Sequence, residues 1–317
     1  MGQYSRFKRA EFVKLKFKLR FTEFIDVDLA TLLRLRRSLR ATAQYCFLSG
    51  QSIPSGRFSR LFEPELASDP VAQRQFQKSG PAFVLNVDLD QLGTYQKGDL
   101  ITFDAIVWGG DLEVVRDFVH VIDALGKTGL RPDAGRFDMF EVYAEDSAVQ
   151  LQRVWSHEDI NSELIAPVRD GEWWLNSCAL ECERVRLEFT TPARLIVRKR
   201  PMFNPTFKLI FPFILRRVTS MLYSHCRFDL SVDSQALLDM SASITCQHSS
   251  LKWNDWRELQ REDCNQPLGG VEGSVELFGT ELIDLIPFLY LGSLMNLGKN
   301  ASFGAGQYRV VPCAVAE

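Results

Sequence analysis

A glycine-rich loop near the C-terminal end constrains this sequence more than any other feature. Residues 297–310 read Leu-Gly-Lys-Asn-Ala-Ser-Phe-Gly-Ala-Gly-Gln-Tyr-Arg-Val, so that Gly298, Gly304 and Gly306 fall within nine residues. An apolar helical stretch, Leu282 to Met295, precedes the glycine loop (residues 297–307), and a strand-like segment follows it. Because glycine adopts positive φ without steric penalty, backbone amides of such a loop can form an anion-binding nest. The alternative is a tight turn between two packed elements.

The residues around the glycines exclude two familiar phosphate-binding motifs. Lys299 is followed by Asn300 instead of Ser or Thr, and no spaced upstream glycine completes a Walker sequence. A dinucleotide fingerprint has a strand before its glycines and a helix after them, whereas this sequence has the reverse order. Lys299 still adds a point charge suited to phosphate. We predict that the neighbouring loop residues contact the same ligand, namely Gly298, Asn300, Ser302, Gly304 and Gly306.

Positive charge is concentrated in two blocks, although the chain of 317 residues has a net charge of −3. Residues 1–40 carry eleven Lys and Arg against four Asp and Glu, and residues 191–228 carry eight against none. The remainder has a net charge of −18. Two basic blocks on an acidic body indicate localised phosphate contact. The alternative is that these blocks are solvated faces of unrelated elements.

Length and composition indicate a globular protein of two domains. The chain is 46% hydrophobic and 24% charged, which allows sizeable cores. No apolar run reaches the length of a membrane span, and the N-terminal segment does not resemble a signal peptide. Seven scattered cysteines without a secretory signal indicate reduced thiols in the cytosol. No His/Cys cluster completes a zinc set, so we expect no metal and no cofactor.

The first basic block contains a strand and a helix. Residues 12–21 alternate strictly, which predicts a strand with one buried face and one face of cations: Lys14, Lys16, Lys18 and Arg20. We expect Lys16 and Lys18 to contact a phosphate backbone. Asp28 is suited to cap a helix from Leu29 to about Cys46. Arginines recur on this helix at three-residue spacing and repel one another unless an anion lies opposite: Arg34, Arg37 and Arg40. The alternative is a bare surface helix.

The two halves of the chain show the same order of elements. After an irregular insertion at about 48–80, the pattern predicts strands at 82–89 and 100–108, a helix at 112–125, and strands at 137–143 and 149–155. Residues 156–178 read as a linker. The second half has a strand at 185–189, a helix at 207–225, an ambiguous stretch at 235–246, a strand at 271–278, a helix at 282–295 and a last strand. The order is ferredoxin-like. The predicted fold class is therefore α+β, with two tandem ferredoxin-like (RRM-like) domains, 1–155 and 179–317, and antiparallel sheets.

The glycine loop also resembles the signature of an RNA-processing family. Residues 298–308 are similar to the C-terminal glycine-rich signature of the CRISPR precursor-RNA processing endoribonucleases, in the repeat-associated mysterious protein (RAMP) superfamily. Other stretches resemble that family in the matching order: Leu33-Arg34 with Cys46, Leu61-Phe62-Glu63-Pro64, residues 189–195, residues 215–218, and Asp255-Trp256-Arg257 followed by Pro267-Leu268-Gly269-Gly270. The resemblance covers nearly the whole chain.

The resemblance implies that the chain binds CRISPR repeat RNA, cuts it at the base of the hairpin and often keeps the product. In that family the ribose 2′-hydroxyl attacks the adjacent phosphate without a metal ion, which leaves a 2′,3′-cyclic phosphate and a 5′-hydroxyl. Such chemistry needs a base, an acid and cations for the phosphorane charge. The implied partners are the repeat RNA or crRNA hairpin and other CRISPR effector subunits, with no membrane. RNA contacts are expected from the second basic block: Arg194, Arg216, Arg217 and His225.

One departure from the family pattern bears on activity. Many relatives carry a histidine in or just after the first helix, whereas here the comparable position is about Leu39 and no histidine precedes His120. The candidate catalytic residues are therefore Arg37, Arg40, Tyr45 and Lys299, although arginine is a poor general base. His225 ends the basic helix, where the helix dipole would favour its cation. The leading hypothesis is an endoribonuclease. The alternatives are a non-catalytic subunit that holds the crRNA hairpin and a scaffold whose glycine loop closes a sheet.

Overall fold

The computed structural model describes residues 4–48, 56–64, 80–131, 134–146, 148–157, 164–178, 182–230, 232–255 and 269–313. Its helices are α1 (Leu29–Leu48), α2 (Gly56–Phe62), α3 (Leu112–Thr128), α4 (Gly171–Asn176), α5 (Phe207–Cys226), α6 (Ser234–Ser243) and α7 (Leu282–Ser293). Its strands are β1 (Phe12–Phe21), β2 (Ile25–Val27), β3 (Phe83–Asn86), β4 (Gly93–Tyr95), β5 (Leu100–Trp108), β6 (Phe137–Glu145), β7 (Leu151–Ser156), β8 (Arg184–Ala193), β9 (Ile196–Val197), β10 (Arg200–Pro201), β11 (Thr245–Gln247), β12 (Lys252–Asp255), β13 (Gly269–Phe278) and β14 (Tyr308–Pro312).

Two antiparallel sheets with equivalent strand orders organise the two halves of the chain. The first sheet has the order β3-β5-β1-β6-β7. The second has the order β11-β13-β8-β14, and β12 also pairs with β13. In the first sheet β1 lies between β5 and β6, and in the second sheet β8 lies between β13 and β14. The ferredoxin-like topology requires this placement of the first strand of each unit. The predicted α+β fold class with tandem ferredoxin-like units is confirmed.

Alternate residues of the strands supply two different cores. On β5, Ala105 and Val107 pack with α1, α2 and α3 in the first core, whereas Ile106 and Trp108 point to the opposite face. That face joins the second core, which is formed mainly by β8, α5 and α7. Phe12 belongs to the same cluster, with its ring centroid 5.2 Å from that of Trp108. The two halves are therefore fixed to each other by shared apolar packing.

Capping residues set the helix ends that the sequence indicates. The side chain of Asp28 accepts a hydrogen bond of 2.8 Å from the amide of Thr31, and α1 begins at Leu29. At its C-terminal end, α3 stops where Gly129 adopts a φ of +93° and its amide donates to the carbonyl of Leu125. No helix within the described ranges is long and apolar enough to cross a membrane.

The structure differs from the predicted elements in three places. The insertion at 48–80, predicted to be irregular, contains α2, because Phe58, Leu61 and Phe62 follow a helical spacing and are buried. Residues 49–55 and 65–79 of it lie outside the described ranges. The predicted linker contains α4, where Leu175 is fully buried. The ambiguous stretch divides into α6 and β11. The matching residues 256–257 and 267–268 lie outside the described ranges, and the domain boundaries stay a prediction.

Candidate nucleic-acid interface

The glycine loop lies against the edge strand of the first sheet. The amide of Leu85, on β3, donates a hydrogen bond of 3.0 Å to the carbonyl of Ser302. Asn296, fully buried just before the loop, donates from Nδ2 to the carbonyls of Leu85 and Ala301, each at 3.2 Å. A loop of the second half is thus bonded directly to a strand of the first half.

Backbone geometry explains the glycines of the loop. Gly298, Gly304 and Gly306 have φ values of +89°, +90° and +65°, and Asn300 has +65°. A Cβ on Gly306 would overlap the carbonyl oxygen of Leu297, and one on Gly298 would lie 2.6 Å from the carbonyl oxygen of Arg194. The glycines are therefore required both by φ and by space.

The loop amides divide into two groups. Those of Gly304 and Gly306 donate to the carbonyls of Ala301 at 3.2 Å and Pro192 at 3.0 Å, so they hold the loop's shape and do not face a ligand. Within the described ranges, the amides of four other loop residues donate to no acceptor: Gly298, Asn300, Ser302 and Ala305. Three of these four amides lie in the first part of the loop, which is where the predicted anion-binding nest has most of its available donors.

A cleft of about 520 Å³ opens beside the glycine loop, and we call it the loop cleft. Among its described lining residues are five cations and no carboxylate: Arg36, Arg194, Arg216, Arg217 and Lys299. These residues come from α1, from the segment after β8, from α5 and from the loop itself. Both basic blocks therefore meet at the glycine loop, and their charge concentrates in one concave surface.

Among the α1 residues whose side chains the structure describes, Arg36 reaches the loop, and the sequence did not single it out. Its Nη1 donates to Oδ1 of Asn300 at 2.8 Å, and its guanidinium lies 5.8 Å from the ring centroid of Phe303. The three-residue spacing of the predicted arginines drifts by about 60° per step around an α-helix. That set therefore does not share one face. No local pattern distinguishes Arg36 from them.

The other α1 candidates point elsewhere. Arg40 forms an ion pair with Glu63 and lies 5.4 Å from the ring centroid of Phe58, which places it against α2. Arg37 is exposed and Tyr45 is 74% exposed, and neither is among the described lining residues of the loop cleft. The side chain of Arg34 lies outside the described residues. Of the four candidate catalytic residues, the structure brings only Lys299 to the cleft.

The cationic face of β1 is compensated by carboxylates. Lys16 pairs with Asp104 at 3.4 Å and Lys18 pairs with Glu141 at 3.0 Å, and in each case the partner is directly opposite on the neighbouring strand. Lys18 also donates to the hydroxyl of Tyr143, and the hydrogen bonds to Glu141 and Tyr143 raise the pKa of Lys18. This face is not the open row of lysines that the sequence suggests, because the compensating acids come from distant strands.

Two neighbouring arginines of α5 have different environments. Arg216 is exposed, and its side chain forms no hydrogen bond or ion pair within the described ranges. Arg217 turns inward to the floor of the loop cleft, where it donates to the carbonyl of Met295 and, at 3.1 Å, to Oγ of Ser302. Direct contact with a ligand was expected of both residues, but Nε and Nη2 of Arg217 are used to hold the loop.

His225 is not the cation that its place at the helix end suggests. Its Nε2 lies 3.0 Å from the carbonyl oxygen of Gly80, beneath the loop cleft. Burial lowers the pKa of His225 to about 4; the hydrogen bond to Gly80 opposes this and the charge of Arg217 adds to it. The expectation of a cationic His225 is therefore wrong at neutral pH, because desolvation outweighs the helix dipole. Its contact with RNA stays a prediction.

Comparison with sequence families supports the resemblance stated above. The sequence model of the family described as CRISPR-associated endoribonuclease Cas6 matches residues 187–308, which include β8, α5, α7 and the glycine loop. A second family, described as an N-terminal domain, matches residues 33–168. No curated protein sequence matches the chain significantly. The match to the Cas6 family confirms the predicted relation to CRISPR precursor-RNA processing endoribonucleases.

Solved structures with the same fold are similar along nearly the whole chain. The Cas6 protein of Thermus thermophilus superposes with a TM-score of 0.54 and 12% identity, covering 95% of this chain and 99% of that one. A product complex of the same protein gives 0.54 and 14%, with 95% and 100% covered. A partial Cas6-RT-Cas1–Cas2 complex gives 0.58 and 14%, with 96% of this chain covered. The chain spans 46% of the length of that last relative and 29% of its fuller form.

We predict that Gly306→Ala lowers the free energy of unfolding by about 2 kcal/mol or more, because it combines a positive φ with overlap on Leu297. Gly56→Ala is the matched control, since a Cβ there meets nothing within 4 Å, and it should change stability by less than about 0.5 kcal/mol. Urea unfolding measures both. Equal changes in the two variants would contradict a loop that depends on its glycines.

We predict that His225 lowers the stability of the fold as the pH is lowered below 6.5. Its folded-state pKa of about 4 lies below the ordinary 6.5, so its stabilising effect is complete above pH 6.5 and is lost as pH falls towards 4. His225→Gln keeps a donor for Gly80 but does not titrate. Urea midpoints between pH 7 and 4.5 should therefore fall less steeply for His225→Gln than for wild type, and parallel curves would refute the assignment.

Proposed function

We propose that this Cas6-type chain is an endoribonuclease that binds CRISPR repeat RNA and cleaves it without a metal ion to give mature crRNA. The observation that supports this most strongly is the loop cleft. It combines five cations with loop amides that donate to no acceptor within the described ranges, at Gly298, Asn300 and Ser302, and its described lining has no carboxylate that would repel phosphate. RNA is favoured over DNA because the proposed nucleophile is the ribose 2′-hydroxyl.

The cleft residues can serve two roles in phosphate transfer, which are stabilisation of charge and orientation of the phosphate. In the proposed reaction the 2′-oxygen attacks the adjacent phosphorus, the bond to the 5′-oxygen breaks, and a 2′,3′-cyclic phosphate and a 5′-hydroxyl result. Negative charge builds on the non-bridging oxygens in the transition state. Lys299, Arg216 and Arg36 would stabilise that charge from the loop, from α5 and from α1, while the amides of Gly298 and Asn300 would orient the phosphate. The hydrogen bond from Arg36 to the side chain of Asn300 would keep the guanidinium of Arg36 in place.

The described cleft residues supply few groups that could transfer a proton. The described lining of the cleft holds no histidine, aspartate or glutamate, and buried His225 is neutral with its Nε2 engaged by Gly80. Arginine hardly deprotonates, so it serves as a charge stabiliser more readily than as a base. We therefore propose slow cleavage driven by electrostatic stabilisation, after which the product stays bound to the same cations.

A non-catalytic subunit that holds the crRNA hairpin is the second candidate. The same lack of histidine, aspartate and glutamate among the described cleft residues favours it. In either role we propose that the chain works with other CRISPR subunits, since one structural neighbour is a Cas6-RT-Cas1–Cas2 complex. The two candidates share the RNA and the cleft and differ only in whether the phosphodiester is cut.

Cleavage in EDTA separates the two candidates. End-labelled repeat RNA from the host's CRISPR arrays, incubated with excess wild-type protein, should give one cut at the hairpin base and a 2′,3′-cyclic phosphate end. A 2′-deoxy nucleotide at the scissile position should abolish the cut while leaving binding within about threefold. Tight binding with uncut RNA would refute the enzyme and support the hairpin-binding subunit.

Removing the α1 cation tests the residue assignment. Arg36→Gln should slow single-turnover cleavage by roughly 30-fold, about 2 kcal/mol of transition-state stabilisation, and by more than Arg37→Gln does. Lys97→Gln is the control, because Lys97 is exposed in the turn between β4 and β5 and does not line the cleft. A loss for Arg37→Gln that exceeds the loss for Arg36→Gln would shift the site to the other side of α1.

A further inference from the structure

Arg217 lies beneath the glycine loop with the donors of its Nε and Nη2 occupied by protein. Its Nε and Nη2 donate to the carbonyl of Met295 at 3.2 and 3.1 Å, and Nη2 also donates to Oγ of Ser302 at 3.1 Å. Its Nη1 lies against Gly80, where a Cβ would approach to 3.0 Å. The guanidinium therefore connects α5 to Met295, just before the loop, and to Ser302 within it, and Nε and Nη2 have no N–H left for a bound ligand.

The charge of Arg217 is uncompensated. It forms no ion pair with a carboxylate within the described ranges, and its neighbour His225 is neutral. Burial lowers the pKa of Arg217 to about 10, so the side chain is still a cation at neutral pH. A partly desolvated cation without a partner is unfavourable for stability alone. Such groups concentrate at functional sites, where a charged ligand completes the pair.

We propose that Arg217 is a positioning residue and a buried counter-charge for the phosphate held by the loop, which it stabilises from below without touching RNA. This inference rests on the proposed function, since it assumes that the anion in the cleft is an RNA phosphate. In a region of low effective dielectric, a charge on the cleft floor acts on an anion above it more strongly than an exposed charge does. The same side chain fixes Ser302, whose amide is one of the unpaired donors.

Salt dependence distinguishes a buried counter-charge from a phosphate contact. An exposed cation that contacts phosphate displaces a counterion from RNA, so its removal lowers the slope of log affinity against log salt by about 0.7 to 0.9. A buried cation that never enters the counterion atmosphere contributes affinity without changing that slope, because salt screens buried charges much less. Lys299 and Arg216 are exposed in the same cleft and provide the comparison.

The test measures the dissociation constant of the host's repeat RNA, with a 2′-deoxy scissile nucleotide, from 50 to 500 mM KCl. Arg217→Gln should weaken binding at least tenfold at every salt concentration, with the wild-type slope. Lys299→Gln should lower the slope, and its loss should shrink as salt rises. Arg217→Lys keeps the charge and should recover most of the affinity. Circular dichroism of each variant reports the fold.

The remaining outcomes decide against the inference in different ways. A slope lowered by Arg217→Gln as much as by Lys299→Gln would make Arg217 a direct phosphate contact. Equal weakening by Arg217→Lys and Arg217→Gln would show that charge is not its contribution. If Arg217→Gln fails to fold, Arg217→Lys decides, because a folded lysine variant that binds tenfold more weakly than wild type overturns the counter-charge. Wild-type protein that fails to bind repeat RNA would refute the proposed function itself.

Discussion

The bonding of the glycine loop to the edge strand β3 is the constraint on which the rest of the site depends. Leu85 uses both its backbone groups in this contact, donating to Ser302 and accepting from Nδ2 of Asn296. An edge strand exposes backbone groups that need partners, and here a loop of the other half satisfies them. Because Phe12 and Trp108 also pack into the second core, α1 and α5 are held on either side of the loop. The loop cleft exists only because these contacts fix both halves together.

The same contact explains the unusual backbone before and within the loop. Asn296 adopts a φ of +55° although it is not glycine. Its buried side-chain amide donates hydrogen bonds to the carbonyls of Leu85 and Ala301. Asparagine tolerates this conformation better than most residues. The network fixes the backbone of the loop, in which the amides of Gly298, Asn300 and Ser302 donate to no acceptor within the described ranges. Donors that are placed in advance stabilise developing charge without reorganisation, which is what phosphate transfer requires.

Cations that are paired with carboxylates and cations that are not distinguish the face of β1 from the proposed RNA site. On β1, Lys18 meets Glu141, which is 123 residues away in the chain, so a basic segment becomes a neutral face. In the loop cleft, the described lining contains no carboxylate. Charge counts along the sequence cannot distinguish these situations, because compensation depends on strand register between distant segments.

Local sequence patterns predicted the structural features that depend only on neighbouring residues. The alternation of β1, the cap at Asp28 and the glycines at 298, 304 and 306 each set their own conformation, so the fold class and the importance of the loop followed from the sequence. Arg36, inward Arg217 and neutral His225 depend on contacts with Asn300, Ser302 and Gly80. Those contacts form only after both halves assemble, and no spacing within a single element encodes them.

The most direct measurement is the structure of wild-type protein bound to repeat RNA that carries a 2′-deoxy scissile nucleotide. We expect the scissile phosphate within hydrogen-bonding distance of the unpaired amides of the loop, with Lys299 and Arg216 on its oxygens and Arg217 still bonded to Met295. RNA that runs along the paired lysines of β1, or elsewhere, and leaves the loop cleft without a phosphate would contradict the proposed site.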